Sequence, residues 1–236
     1  MTVVTSPTPG LRLFGSATAT WLGLVAVLAL LLGGSAAAHA LGLPMPGQCA
    51  VVASMIFATV LLARGGSRWS ALGLRAPSRW WTVPLWAIAT YMVCILTITL
   101  VARPLKAALH WPPTFVEALG PLQGHPAQLA LLLVLIWTTV AFGEELLFRG
   151  LLLNGIAGAL GGSRGAFAFA ACAQAVVFGL GHFALGRSGM LDAGLIGLVF
   201  GLVYLRNGRQ LPALILAHGM IDTISVLALY AGVKPS

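Results

Sequence analysis

The chain holds 236 residues, 59% of them apolar and 8% charged, and its mean hydropathy is +0.97. Soluble domains carry about 25% charged residues, so a soluble globular protein is excluded. The formal net charge of +8 comes from bases that flank apolar runs, where topology determinants sit; this argues for a lipid bilayer and against nucleic acid as the partner.

Residues 1–16 mix Thr, Ser, Pro and one Arg without periodicity. They are expected to form a mobile N-terminal tail, followed by a single transmembrane helical domain over 17–236. The first apolar run, about 18–40, ends in Ser35-Ala-Ala-Ala-His-Ala40, small residues like those of a signal-peptidase site. Its length, and the second span that follows the turn Leu41-Gly-Leu-Pro-Met-Pro-Gly47, favour an uncleaved anchor. Further spans are expected at about 48–63, 82–102, 126–147, 165–184, 190–205 and 211–231, giving an all-α polytopic bundle of about seven transmembrane helices, within a range of six to eight.

With the N-terminus cytoplasmic, nine basic residues fall inside (Arg12, Arg64, Arg68, Arg75, Arg79, Arg149, Arg164, Arg206, Arg209) and four outside (Arg103, Lys106, Arg187, Lys234), as the positive-inside rule requires. Composition rich in Ala, Gly, Leu and Arg suggests a bacterial source, hence a multi-pass protein of the cell membrane. Trp80, Trp81, Trp86 and Trp111 suit interfacial anchoring. The stretch 103–125, with Pro112, Pro113, His110 and His125, is expected to be a long outer loop. Gly194, Gly197 and Gly201 form a small-residue face suited to helix packing. Cys49, Cys94 and Cys172 lie in apolar segments without metal-ligand spacing and are expected to be small packing residues.

The acids number five: Glu117, Glu144, Glu145, Asp192 and Asp222. An ionisable residue at the centre of a span costs about 2.5–3.5 kcal/mol, so Glu144, Glu145, Arg149 and Asp222 would together cost about 10–14 kcal/mol if unpaired. Such a burden requires pairing, water or function. In Gly143-Glu-Glu-Leu-Leu-Phe-Arg-Gly150, Glu145 and Arg149 are four apart and share a helical face, which suits an ion pair. Glu144 points about 100° away. It is either a general base facing a polar cavity or a helix-end carboxylate in contact with water. His182 ends the segment Phe178-Gly-Leu-Gly-His182, and His218 and Asp222 sit four apart on one face of the last span. A histidine alone in an apolar helix is usually a satisfied core residue; the carboxylate one turn away sets His218 apart. His39, His110 and His125 lie in turns or loops. Asp192, in the first turn of its expected helix, is explained by the positive helix terminus.

Glu144-Glu145-x-x-x-Arg149, Phe178-x-x-x-His182 and His218-x-x-x-Asp222, in that order on separate spans, resemble the CAAX prenyl protease type II and bacteriocin-processing family. It is also called the abortive-infection or glutamate intramembrane protease family. The resemblance covers about 126–231, the expected catalytic core. It implies an all-helical endopeptidase, a hydrolase of peptides or membrane proteins, whose site lies within the bilayer and opens to the cytoplasmic side. By resemblance, Glu144 and His182 hold and activate a water, Glu145 and Arg149 form a supporting pair, and Phe178 is a further supporting residue. His218 and residue 222 stabilise the oxyanion. The prenyl proteases typically carry Asn at the last position where this chain has Asp222. An ionised Asp cannot donate to an oxyanion, whereas a protonated one can.

No cofactor is expected. Zinc held by Glu144, His182 and His218 is the enzymatic alternative, although the chain lacks a His-Glu-x-x-His spacing. A membrane peptide-binding or bacteriocin-immunity protein is the non-enzymatic one. A proton-coupled transporter would show repeated halves, which the sequence lacks. One conflict stands in these expectations: the spans as drawn put Glu144 and His218 toward one membrane face and His182 toward the other. A long tilted helix or a submerged segment beyond Gly150 would bring them to one level.

Overall fold

In lipid the backbone has only itself to hydrogen-bond, so an apolar chain must wind into helices or close into a barrel. The computed structural model describes residues 13–43, 45–114 and 122–233, and among these there is helix and no strand. Seven helices are long and apolar enough to cross a membrane. They are α1 (Ala17–Ala40), α2 (Pro46–Arg64), α3 (Thr82–Ala108), α4 (Pro126–Ala159), α5 (Arg164–Gly181), α6 (Phe183–Arg206) and α7 (Pro212–Tyr230). Ser16 and Ser163 cap α1 and α5 by accepting the N–H groups of Ala19 and Ala166, which satisfies donors left over at a helix start. Proline opens α2, α4 and α7, where its missing N–H costs nothing.

Three expected boundaries change. The fourth span runs to Ala159 rather than ending near 147, because Gly150 to Ala159 continues the same helix buried against α1 and α5. The third runs on to Ala108, which shortens the expected 103–125 loop. Pro104 would clash with the carbonyl of Leu100 in a regular α-helix; the wider i→i+5 winding at Ile98–Ala102 relieves that clash. The expected N-terminal tail ends early, since Leu13 is fully buried in the core. Residues 1–12, with Arg12, lie outside the described residues, as do Glu117 and Lys234.

The helices pack as two hairpins around α4. α1 pairs with α2, and α5 with α6, while α4 touches α1, α2, α5, α6 and α7 and α3 lies against α6 and α7. The Gly194, Gly197 and Gly201 face of α6 meets Ala171, Ala175 and Gly179 of α5. Cys94 is buried as a packing residue, whereas Cys49 and Cys172 are exposed on the bundle surface.

One end of the bundle gathers the connectors at 65–81, 160–163 and 207–211. Arg75 donates to the carbonyl of Gly208 at 3.0 Å, and Leu211 N–H to that of Gly73 at 3.0 Å. The other end gathers the α1–α2 turn, the described residues 109–114 and 122–125 between α3 and α4, and the α5–α6 turn.

Candidate active site

From Ile136 to Leu153 α4 winds with i→i+5 hydrogen bonds. This form is rare, occurs mostly as single turns and concentrates at functional sites. Glu144, Glu145 and Arg149 all fall within it. Two glycines let the neighbouring helices close on this stretch. A methyl on Gly143 would strike Val51 and Met55 of α2, and one on Gly219 would strike the ring of Trp137.

Glu145 and Arg149 are both fully buried, with Nη1 donating to Oε1 at 2.8 Å. The guanidinium lies 4.6 Å from the ring centroid of Phe178 and 5.0 Å from that of Phe200, a cation between two aromatic faces. Arg149 therefore does not belong to the inner basic flank where the charge pattern placed it. Spacing alone did not reveal a second bond to the same carboxylate oxygen: His218 Nδ1 lies 2.8 Å from Glu145 Oε1. A carboxylate paired with Arg accepts only, so Nδ1 carries the hydrogen. Glu145 thus bridges α4 and α7, and orients the imidazole as well as neutralising Arg149.

That bond aims His218 Nε2 at the other two acids, 3.5 Å from Asp222 Oδ2 and 4.0 Å from Glu144 Oε2. Among the described residues, Glu144 Oε2 is buried without a hydrogen-bond partner. His182 caps the end of α5, and its Nδ1 donates to the carbonyl of Phe178 at 2.8 Å. The neutral ring then presents Nε2 as an acceptor. Phe178, 3% exposed, packs against both His182, with centroids 4.6 Å apart, and His218, at 6.3 Å.

The long α4 resolves the conflict of levels. Glu144 lies mid-helix, about as far before the α4–α5 turn as His182 lies after it. Glu144 and His182 line one cavity of about 170 Å³. His182, His218 and Asp222 line a second of about 380 Å³. Gln48, Val140, Phe178 and His182 border both. All seven residues singled out in the sequence (Glu144, Glu145, Arg149, Phe178, His182, His218 and Asp222) thus converge on one place. Gln48 was missed, because a glutamine one turn into an apolar helix carries no local signal. Among the described residues, no group of three His, Cys, Asp or Glu is arranged to hold a metal ion.

Asp192 corrects a further expectation. It sits beyond the first turn of α6, bound to Lys106 Nζ at 2.9 and 3.1 Å and to the Thr114 hydroxyl at 3.1 Å, so a side-chain cation rather than the helix terminus compensates it. Its carboxylate borders the larger cavity.

No curated protein and no solved structure matches the chain. Residues 126–224 match the family model of the type II CAAX prenyl endopeptidase Rce1-like proteins. This is a family of proteases, hydrolases of peptide or protein substrates in a membrane setting, and seven apolar helices make the present chain a multi-pass membrane protein. The stretch from 126 to 224 carries all seven converging side chains, and it is in this stretch that the chain is similar to the Rce1-like proteins of the CAAX prenyl protease type II and bacteriocin-processing family.

Proposed function

We propose that the chain is a metal-independent intramembrane endopeptidase in which Glu144 and His182 activate a water against a peptide carbonyl. The observation that supports this most directly is the buried carboxylate oxygen of Glu144 that has no hydrogen-bond partner, on a residue lining a cavity it shares with His182. A base needs a free lone pair, and both groups keep one: Glu144 at Oε2, and His182 at Nε2 because its Nδ1–H is committed to Phe178.

As the water oxygen bonds to the substrate carbonyl carbon, its proton passes to Glu144 and the carbonyl electron pair becomes the oxyanion. A doubly protonated His218, its Nδ1–H on Glu145 and its Nε2–H free, and a protonated Asp222 donate to that oxygen. His218 is held for this by Glu145, which Arg149 neutralises in turn. Collapse of the intermediate breaks the C–N bond, and the proton on Glu144 goes to the leaving amine. General acid–base catalysis contributes about 10²–10⁴-fold, and each oxyanion donor about 10²–10³-fold. The catalytic core is 126–231 of a single domain, and α1 and α2 complete the wall of the smaller cavity.

The test compares membrane peptides from cells carrying wild-type chain or Glu144→Gln at matched protein levels. Peptides made by the wild type, still made by chelator-treated membranes and lost at least 100-fold in the variant are expected. Identical peptide sets would remove Glu144 from the base role and favour a non-cleaving peptide-binding protein. Activity lost on chelation and restored by zinc would favour the metalloprotease.

A further inference from the structure

We infer that Gln48 is a substrate-binding residue of this site: its side-chain amide holds the backbone of an extended peptide beside the bond to be cut. The inference rests on the endopeptidase reading and deepens it, because it draws the α1–α2 hairpin, which lies outside the matched stretch 126–224, into the active site.

The first observation is where the two cavities meet. Glu144 borders the smaller one, and His218 and Asp222 border the larger. A peptide carbonyl attacked by the water on Glu144, with its oxygen held by His218 and Asp222, must sit where the cavities adjoin. Gln48, Val140, Phe178 and His182 border both. Val140 and Phe178 have no side-chain group that hydrogen-bonds. His182 has its Nδ1 on the Phe178 carbonyl and its Nε2 on the water. Gln48 is the one hydrogen-bonding side chain of the four that is left without a task.

The second observation is that its amide is uncommitted. Gln48 is half-buried, and among the described residues its side chain has no hydrogen-bond partner. Gln174 shows the contrast: buried in the bundle, its Nε2 donates to the carbonyls of Ala171 and Gly197 at 3.0 and 2.8 Å. A polar group drawn into apolar surroundings costs free energy until it is paired, and a bound peptide supplies the pair.

Packing holds Gln48 in that position. Gln48, Val51 and Met55 share one face of α2 by their spacing of three and four residues. Val51 and Met55 lie closest to Gly143, the neighbour of Glu144, so the contact of α2 with α4 carries Gln48 to the side of the bundle where Glu144 lies.

The amide also narrows the substrate. Its NH2 donates and its C=O accepts, and a peptide group offers the complementary acceptor and donor. Two hydrogen bonds can join them without reading any side chain. A helical backbone has already used its N–H and C=O groups internally. A substrate that takes this pair therefore enters with the segment around the scissile bond unwound.

The test uses the chain in proteoliposomes and a synthetic peptide spanning a cleavage site that depends on Glu144. Gln48→Met keeps the length of the side chain and removes the amide. It should raise KM about tenfold, as the loss of two neutral hydrogen bonds does, with kcat within threefold of wild type. A fall in kcat at unchanged KM, or no change in either, overturns the inference. A second readout separates contact from packing: peptide amides flanking the scissile bond are replaced one at a time by esters, which lack the N–H. One such ester should raise KM at least fivefold in wild type and less than twofold in Gln48→Met, or in Gln48→Ala should the Met variant not fold. Equal penalties in wild type and variant overturn the contact. Absence of any cleavage that depends on Glu144 sinks the endopeptidase reading and this inference with it, whereas cleavage indifferent to Gln48 sinks the inference alone.

Discussion

Asp222 is the residue at which this site leaves the pattern of the prenyl proteases, and its geometry offers two roles. At 3.5 Å from His218 Nε2 it either donates to the oxyanion as a neutral acid or orients His218 as an anion. Asparagine always donates through its amide. If Asp222 is a donor, Asp222→Asn keeps activity within about tenfold of wild type and extends it to higher pH, since no ionisation removes the donor. Asp222→Leu then loses about 100- to 1000-fold. Rate–pH profiles of the three proteins on one cleaved peptide decide, and a folded but inactive Asn variant overturns the donor role. The two i,i+4 pairs, Glu145 with Arg149 and His218 with Asp222, were legible in the sequence because helical winding fixes them. The contact between Glu145 and His218, 73 residues apart, was not, since it exists only once α4 packs on α7. It changes the meaning of Glu145, which spacing alone assigned to Arg149.

At the level of helices, periodicity and length located all seven spans, and the errors fell where local chemistry was overridden. The third span was expected to end at 102, and the helix is instead carried on past Pro104 by wide winding. The second half of α4 looked like a connection and is buried helix. Asp192 looked like a terminus charge, because its cation lies 86 residues away on α3. That ion pair joins the end of α3 to the start of α6 beside the cavity, with side chains 11% and 21% exposed. Breaking a largely buried pair strands one charge and costs about 3–5 kcal/mol, whereas removing both partners is close to neutral. Lys106→Met and Asp192→Leu should each lower the thermal midpoint in detergent by several degrees, and the double variant should recover most of the loss. Additive losses in the double variant would show that the two charges do not support each other.

Across the whole molecule the helices differ in reach. α2 and α7 have 19 residues each and rise about 28 Å, close to the hydrocarbon core of about 30 Å. α4 has 34 residues, about 50 Å if wound as an α-helix throughout and less with its wide central turns. Within one slab it must cross obliquely, and Glu144 lies near its midpoint. If the proposed endopeptidase reading holds, bilayer thickness becomes a variable of catalysis: a thicker membrane draws the oblique helix toward the normal and slides Glu144 past His182 and His218, which sit on shorter neighbours. Mismatch costs fractions of a kcal/mol per Å, so a change of a few Å carries roughly 1–2 kcal/mol, enough for about a tenfold change in rate. Proteoliposomes built from short, intermediate and long acyl chains should show a cleavage maximum at one length, and a rate indifferent to chain length would show that α4 is held by its neighbours alone. A cell that remodels its fatty acids would, by the same coupling, retune this site without touching the protein.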